Sequence, residues 1–239
     1  MNDAYKLMMG IDLPINNRIS LKHPTVRQVC EFGEDVYFSQ IASFVATPTD
    51  MKVELDDAGI NFEDITDFQL FCMRTESFKD TVVEQLIEGF DFGYAYPVIG
   101  EDGQLMLFDP SHNALLDEAY YLILSNYIRV IHGFKKNVEV YGNEFTRKMV
   151  IDIERSSRKH KQHKQSEPFL LDYISGLINC SESKYTYKDV WDVPYYVFID
   201  SVRRTQKVME FKGLMSGMYS GMVDTSKLNV EKMSWIGKL

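Results

Sequence analysis

The sequence predicts a mainly α protein with one small β-hairpin: a helical N-terminal domain followed by a short helical C-terminal domain. Three observations carry this. Apolar residues recur at helical spacing through most of the chain, the Asp102-Gly103 pair stands between two apolar runs, and a polar, basic stretch around residue 160 interrupts the apolar pattern. With 239 residues, 45% of them hydrophobic and 26% charged, the chain can bury a substantial core.

The first strong element starts at Pro24, a residue suited to the first turn of a helix. Val26, Val29, Cys30, Gly33, Val36, Tyr37, Ile41 and Phe44 follow on one stripe. "TDMKVELDDAGI" predicts a short helix closed by Gly59, and "NFEDITDFQLFCM" predicts another. "TESFKDTVVEQLIEGF" predicts a third, with Ser77 and Asp80 as an approximate capping pair and Phe78, Val82 and Leu86 on one face. The hairpin is expected near residues 96–108, against helices, since two strands alone are marginal. From Asp109-Pro110 to Gly133 the pattern is one helix, apolar on most sides and therefore central and buried. Between Asn143 and Gln165 two readings compete: a helix with Phe145, Met149 and Ile153 in register, or a strand with Met149, Ile151 and Ile153 alternating. Helix is preferred.

Past Ile153 the apolar residues stop. The expected division is therefore residues 1–154 as the N-terminal domain, 155–166 as a basic linker or helix extension, and 167–239 as the C-terminal domain. In the last, "PFLLDYISGLI" aligns Leu170, Tyr173, Ile174 and Leu177, and Pro194 opens a long helix with Tyr195, Phe198, Ile199 and Val202 on one face. A final short helix is expected to carry Met233 and Trp235.

Charge is unevenly distributed. Residues 1–91 hold seven Lys/Arg against seventeen Asp/Glu, whereas residues 155–164, "RSSRKHKQHK", hold five basic residues and no acid. Arg155, Arg158, Lys159, Lys161 and Lys164 thus form a candidate docking segment for an acidic protein surface or for self-association, with plain solvation as the alternative. The run lacks interleaved aromatics to stack bases, which argues against nucleic acid as the partner.

The residue patterns of chemistry are missing. No glycine-rich phosphate cradle is present, and Gly213, Gly217 and Gly221 lie four apart with no Lys-Ser/Thr after them. Their spacing suits a tightly packed helix–turn junction. "ELDDAGINFEDI" fails as a calcium loop because Ile65 stands where the bidentate Glu belongs. His160 and His163 sit among cations that would oppose a metal, and His23, His112 and His132 fall beside expected helix ends, where capping or surface roles are usual. Cys30, Cys72 and Cys180 are scattered and odd in number, as in a reducing compartment. No run approaches the ~18 apolar residues of a membrane span. The expectation is a cytoplasmic, non-enzymatic protein with no catalytic or metal-binding residues, no cofactor and no membrane attachment.

The C-terminal stretch "YKDVWDVPYYVFIDSVRRTQKVMEFKGLMSGMYSGMVDTSKLNVEKMSWIGKL" resembles the end of tail-assembly chaperones and related morphogenesis proteins of tailed bacteriophages. The shared features are a Trp ahead of a proline-started amphipathic helix, then "SGMYSGMVD", then "LNVEKMSWI". The basic segment before it and the proline-started "PTVRQVCEFGEDVY" are in keeping. The resemblance implies a non-enzymatic role in the host cytoplasm: binding tail components, the tape-measure or tube protein above all, until the tube polymerises. The flexible residues Met209, Met215, Met218, Met222 and Met233 are dense at this end and suit a reversible apolar surface. The partner-binding candidates are Met215, Met218, Tyr219, Met222 and Trp235. Alternatives from other classes are a neck or baseplate protein of the virion, or a phage-encoded protein that binds and modulates a host defence factor.

Overall fold

The computed structural model describes residues 2–139, 141–160, 168–221 and 234–237. In chain order the helices are α1 (Asp3–Met9), α2 (Val26–Phe32), α3 (Glu34–Phe44), α4 (Lys52–Asp57), α5 (Asp67–Met73), α6 (Val82–Leu86), α7 (Glu118–His132), α8 (Glu144–His160), α9 (Phe169–Asn179) and α10 (Tyr195–Tyr219). The strands are β1 (Leu13–Pro14), β2 (Ser20–Leu21), β3 (Ile87–Glu88), β4 (Tyr96–Ile99), β5 (Leu105–Asp109) and β6 (Ala114–Asp117). The protein is mainly α with two small antiparallel sheets, β1-β2-β3 and β4-β5-β6. The chain divides into two compact units that are not consecutive in sequence: Met1–Gly10, His23–Glu31 and Pro168–Leu239 form one, Ile11–Lys22 and Phe32–Glu167 the other.

The larger unit is built on aromatic packing. Phe44, Phe68, Phe71, Phe78, Phe92 and Tyr121 are buried together, with Phe71 stacked on Tyr121 at 4.5 Å and Phe44 edge-on to Phe78 at 5.1 Å. Such pairs each add about 0.5–1.5 kcal/mol to the area they bury. The expected hairpin is present as β4 and β5, Tyr96 opposite Phe108 and Ile99 opposite Leu105, and Gly103 takes the left-handed turn position at φ 78°. A third strand extends it, which corrects the expected helix start at Asp109. Asn113 at φ 49° turns the chain back, and Ala114–Asp117 pair with Met106–Asp109. The helix begins only at Glu118, with the Asp117 carboxylate accepting from Tyr120 N at 2.8 Å. That helix, α7, is also not buried all round. Tyr121, Leu124, Ile128 and Ile131 face inward, while Leu122, Ile123 and Val130 are exposed.

Three further expected helices are broken. In "NFEDITDFQLFCM" a 3-10 turn over Phe62–Asp64 is separated from α5 by extended Ile65 and Thr66. Gly33, at φ 82°, separates α2 from α3 within the stripe that begins at Pro24. In "TESFKDTVVEQLIEGF" a 3-10 turn over Thr75–Phe78 gives way to Asp80 at φ 56°, and α6 is only five residues long. Ser77 donates to Arg74 O at 2.6 Å instead of capping, and the capping box stands elsewhere, at Thr66 and Gln69 of α5. The preferred reading of 143–165 as helix agrees with α8 through His160, but its register is reversed. Ile151 is the buried residue, packed with Val53, Leu55, Phe62 and Leu70, and Phe145, Met149 and Ile153 point outward.

The smaller unit is made of three chain segments, two of which are joined by backbone. Tyr195 N donates to Pro24 O at 2.7 Å and Val26 N to Val193 O at 3.0 Å, flanking the Thr25–Pro194 bridge. Gly10 closes α1 at φ 63°, and a Cβ there would stand 2.5 Å from Pro194 Cγ. Leu170, Ile174 and Leu177 of α9 and Tyr195, Phe198 and Val202 of α10 are buried, the alignment the sequence predicts apart from an exposed Tyr173 and an Ile199 that is only half-buried. The expected final helix is not seen around Trp235, where Ser234–Gly237 is a turn; Met233 lies outside the described residues.

Candidate protein-binding surface

Helices α9 and α10 are amphipathic and meet along their apolar faces, but α9 has 11 residues and α10 has 25. At roughly 1.5 Å per residue α10 is the longer by about 20 Å. Beside their contact lies a groove of 460 Å³, lined mainly by apolar surface from Tyr173, Leu177, Cys180, Val202 and Met209. Gly176 lies on the α9 wall, across from Met209 of α10, with nothing within 4 Å of where a Cβ would be. The sulfurs of Cys180 and Met209 are 3.7 Å apart. An open slot of this size, with a thioether at one edge, can take an aliphatic or aromatic side chain from another polypeptide.

The candidate contact residues fall differently. Met215, Met218 and Tyr219 occupy the last turns of α10, the first two half-buried and Tyr219 85% exposed. With 3.6 residues per turn, Met215 and Met218 lie on the side of α10 roughly opposite Val202 and Met209. Arg204 shares their side and donates to the carbonyls of Trp235 at 2.7 Å and Gly237 at 2.6 Å, so Trp235 is tethered there, several turns from Met218. Met222 lies outside the described residues. Tyr173, Leu177 and Val202 are legible in the sequence as helix-face residues and Met209 as part of the methionine-rich end, but the sequence does not bring them together as a groove. A helix pattern gives the apolar face of α10 but not where α9 lies against it.

The glycines resolve simply. Gly213 is inside α10 with open space at its Cβ position, and Gly221 follows the helix at φ 70°. This is the end of a long helix, and at Gly213 and Gly221 it is not the tightly packed junction the spacing suggested.

Of the basic docking candidates, Arg155 and Arg158 are engaged within their own unit. Arg155 pairs with Asp56 at 2.7 Å and Asp57 at 2.8 Å, and Arg158 pairs with Glu54 and, at 2.7 Å, with Glu154. Hydrogen bonds from these acids raise the Arg155 pKa; for Arg158 burial opposes the charge but the carboxylates prevail. The acids of α4 and the first part of the basic run therefore neutralise each other. Lys161 and Lys164 lie outside the described residues, as does the side chain of Lys159.

Groups that could do chemistry are tied into structure. Burial pushes the Cys72 thiol up to about 12, the opposite of an activated nucleophile. Asp109 is fully buried and accepts from His112 Nδ1 at 2.7 Å, from Asp91 N at 2.9 Å, from Ser111 N at 2.8 Å and from Ser111 Oγ. Burial favours its neutral form, but these donors outweigh it and hold the carboxyl below the ordinary range. Ser111 reaches the Nδ1 side of His112, where Asp109 already binds, so the three form a turn lock and not a Ser-His-Asp relay. His132 is likewise structural, its Nδ1 donating to Ile128 O at 2.7 Å and its Nε2 lying 2.8 Å from the Tyr37 hydroxyl. Among the described residues no group of three or more His, Cys, Asp or Glu is placed to hold a metal, and no helix is long and apolar enough to cross a membrane.

A family model described as the YomV second domain matches residues 159–239. The family is phage-associated, and the match supports a phage protein. The matched segment contains α9, α10 and the groove between them. Neither a curated protein nor a solved structure matches the chain.

Proposed function

We propose that this chain is a non-enzymatic phage protein of tail morphogenesis that binds tail components in the host cytoplasm as an assembly chaperone, with the tape-measure or tube protein as its partner. The observation that carries the proposal is the α9–α10 groove within the segment matching the phage-associated family. A tape-measure protein presents long amphipathic helices, and an open apolar slot beside a longer, methionine-bearing helix suits reversible capture of their side chains. The tail assignment itself rests on the resemblance of residues 187–239. No cofactor is required for such a role.

The test is affinity capture of tagged chain from infected or induced cells, with mass spectrometry of the retained proteins. Recovery of tape-measure or tube subunits, together with absence of the chain from finished particles, supports the proposal. Presence in purified virions would overturn it in favour of a neck or baseplate component. Recovery of a host factor alone would also overturn it, although that reading is weakened by the engagement of the α4 acids with Arg155 and Arg158.

A further inference from the structure

Helix α8 carries its larger apolar side chains on the wrong side for its own unit. Its inward face is one aliphatic residue, Ile151 at 2% exposure, surrounded by ion pairs: Arg147 to Glu63 at 3.0 Å, Glu154 to Lys52 at 3.0 Å, Arg155 to Asp56 and Asp57, and Arg158 to Glu54. Its outward face carries Phe145 at 78%, Met149 at 54% and Ile153 at 54% exposure, spaced four residues apart. With 3.6 residues per turn these three form one stripe roughly opposite Ile151. Single exposed apolar residues are ordinary, but a contiguous stripe over about two turns marks an interaction site.

We infer that this stripe is a self-association surface, on which α8 packs antiparallel against α8 of a second copy. The charges beside the stripe select this occupant. Lys148 and Asp152 lie one turn apart on the same flank and are both well exposed. Each is in a solvent-facing pair within α8, Lys148 with Glu144 at 2.8 Å and Asp152 with Arg155 at 2.5 Å, which leaves both able to meet a further opposite charge. In an antiparallel pair about a two-fold axis, each flank meets its own counterpart in reverse order. With the axis passing between Met149 and Ile151, Lys148 faces the partner's Asp152 and Asp152 faces the partner's Lys148. The same operation sets Met149 beside the axis and brings Phe145 over the turn that carries the partner's Ile153. A parallel pair would instead set Lys148 against the opposite flank, which carries Thr146 and Val150 and no charge. The stripe is thus complementary to itself in both shape and sign. The 17 residues of α8 span roughly 26 Å, so one helix pair buries an area at or below the low end of the usual range, and the dimer should depend on concentration.

Sedimentation equilibrium of the full chain over a wide concentration range tests this. The wild type should pass from single to double mass, and Met149→Lys, which places two ammonium groups at the axis, should weaken association at least tenfold with an unchanged circular dichroism spectrum. Lys148→Glu and Asp152→Lys reverse exposed charges that also pair within α8 with Glu144 and Arg155, so each is checked for an unchanged circular dichroism spectrum. Each alone should weaken association, and the double variant carrying both should restore it. A single mass at every concentration would overturn the inference. So would a dimer indifferent to Met149→Lys, or a double variant that stays as weak as the singles. Capture of a different protein that depends on Met149 while the chain itself remains monomeric would assign the stripe to a heterologous helix, and that also overturns it.

Discussion

Lys52 Nζ lies 3.0 Å from a carboxylate oxygen of Glu154 and 2.7 Å from one of Glu139, so two helices and the segment between α7 and α8 converge on one nearly buried ammonium. Burial opposes the charge on Lys52, but the bonds to Glu139, Glu154 and Tyr141 prevail and hold its pKa above the ordinary lysine range. On the acid side, the bond from Lys52 lowers the Glu139 pKa, with Tyr141 adding to it. Glu154 is lowered despite burial by Lys52 and Arg158. Acids with depressed pKa values stabilise the fold above their unfolded values of about 4.3, and that contribution is lost as pH falls through the folded values. A raised lysine contributes below its unfolded value and loses effect only in strong base.

Lys52→Met should therefore lower stability at neutral pH by about 1–3 kcal/mol, because both carboxylates lose their partner but are partly hydrated already. It should also flatten the decline of stability below about pH 4.5. Urea unfolding of wild type and variant between neutral and acid pH measures both effects. An equal acid slope in the two proteins would mean that the depressed acids owe nothing to Lys52.

Asp109→Asn should be more damaging than its isosteric shape suggests. The buried carboxylate accepts from His112, Asp91 and Ser111, and an amide offers one acceptor oxygen and a second group that donates. Asp91 N and His112 Nδ1 share one carboxylate oxygen and Ser111 N and Oγ share the other, so whichever oxygen the amide nitrogen replaces, a backbone N–H is left facing a donor. The expected loss is about 2–3 kcal/mol in thermal or urea unfolding. Ser111→Ala removes only the hydroxyl bond and keeps the backbone N–H bond to Asp109, so it should cost less than Asp109→Asn.

Two glycines should respond oppositely to alanine. Gly10 combines a left-handed φ of 63° with a Cβ position 2.5 Å from Pro194 Cγ, so Gly10→Ala should destabilise the smaller unit by about 1–3 kcal/mol. Gly176 sits inside α9 with open space at the same position, so Gly176→Ala should stabilise by up to about 1 kcal/mol through helix propensity. Melting curves of the two variants decide the matter, and a stabilised Gly10→Ala would contradict the Pro194 contact.

These residues also show what the sequence could and could not reveal. Helices α9 and α10 were legible because Leu170, Ile174, Leu177, Phe198 and Val202 repeat at a period that packing obeys. The hairpin was legible from Asp102-Gly103. Strand β6 was not, because its fate depends on Asn113 taking φ 49° and on pairing with Met106–Asp109, neither of which alters the local apolar count. Strands β1 to β3 have two residues each, too few for any alternation to register. For α8 the period was right and the side was wrong. Phe145, Met149 and Ile153 outweigh Ile151 in apolar surface, and only the acids of α4, distant in sequence, show that Arg155 and Arg158 mark the inner face. The joining of residues near Pro24 to those near Val193 is made by backbone hydrogen bonds, which carry no side-chain signature, and by one exposed ion pair, Arg27–Asp192, whose partners are 165 residues apart. The groove is built from two legible helices, yet its position depends on how they meet.

The two sides of α10 give the proposed partner binding a discriminating test. Met209 is exposed at the groove, and Met218 is half-buried on the other side of the helix. Met209→Asp places a carboxylate in an apolar slot and should reduce capture of a tail component at least tenfold, since an unpaired charge buried at an interface is costly. Gly176→Trp should do the same by filling the slot from the opposite wall, with no neighbour within 4 Å of its Cβ to resist it. Met218→Asp reports on the second surface, where Arg204 tethers Trp235. Loss of capture in Met209→Asp and Gly176→Trp alone would assign the partner to the groove. Loss in Met218→Asp alone would move it to the side bearing Met215 and Trp235, and loss in all three would mean that the partner wraps the helix. Full capture by every variant, with each still folded by circular dichroism, would remove α10 from the binding surface altogether.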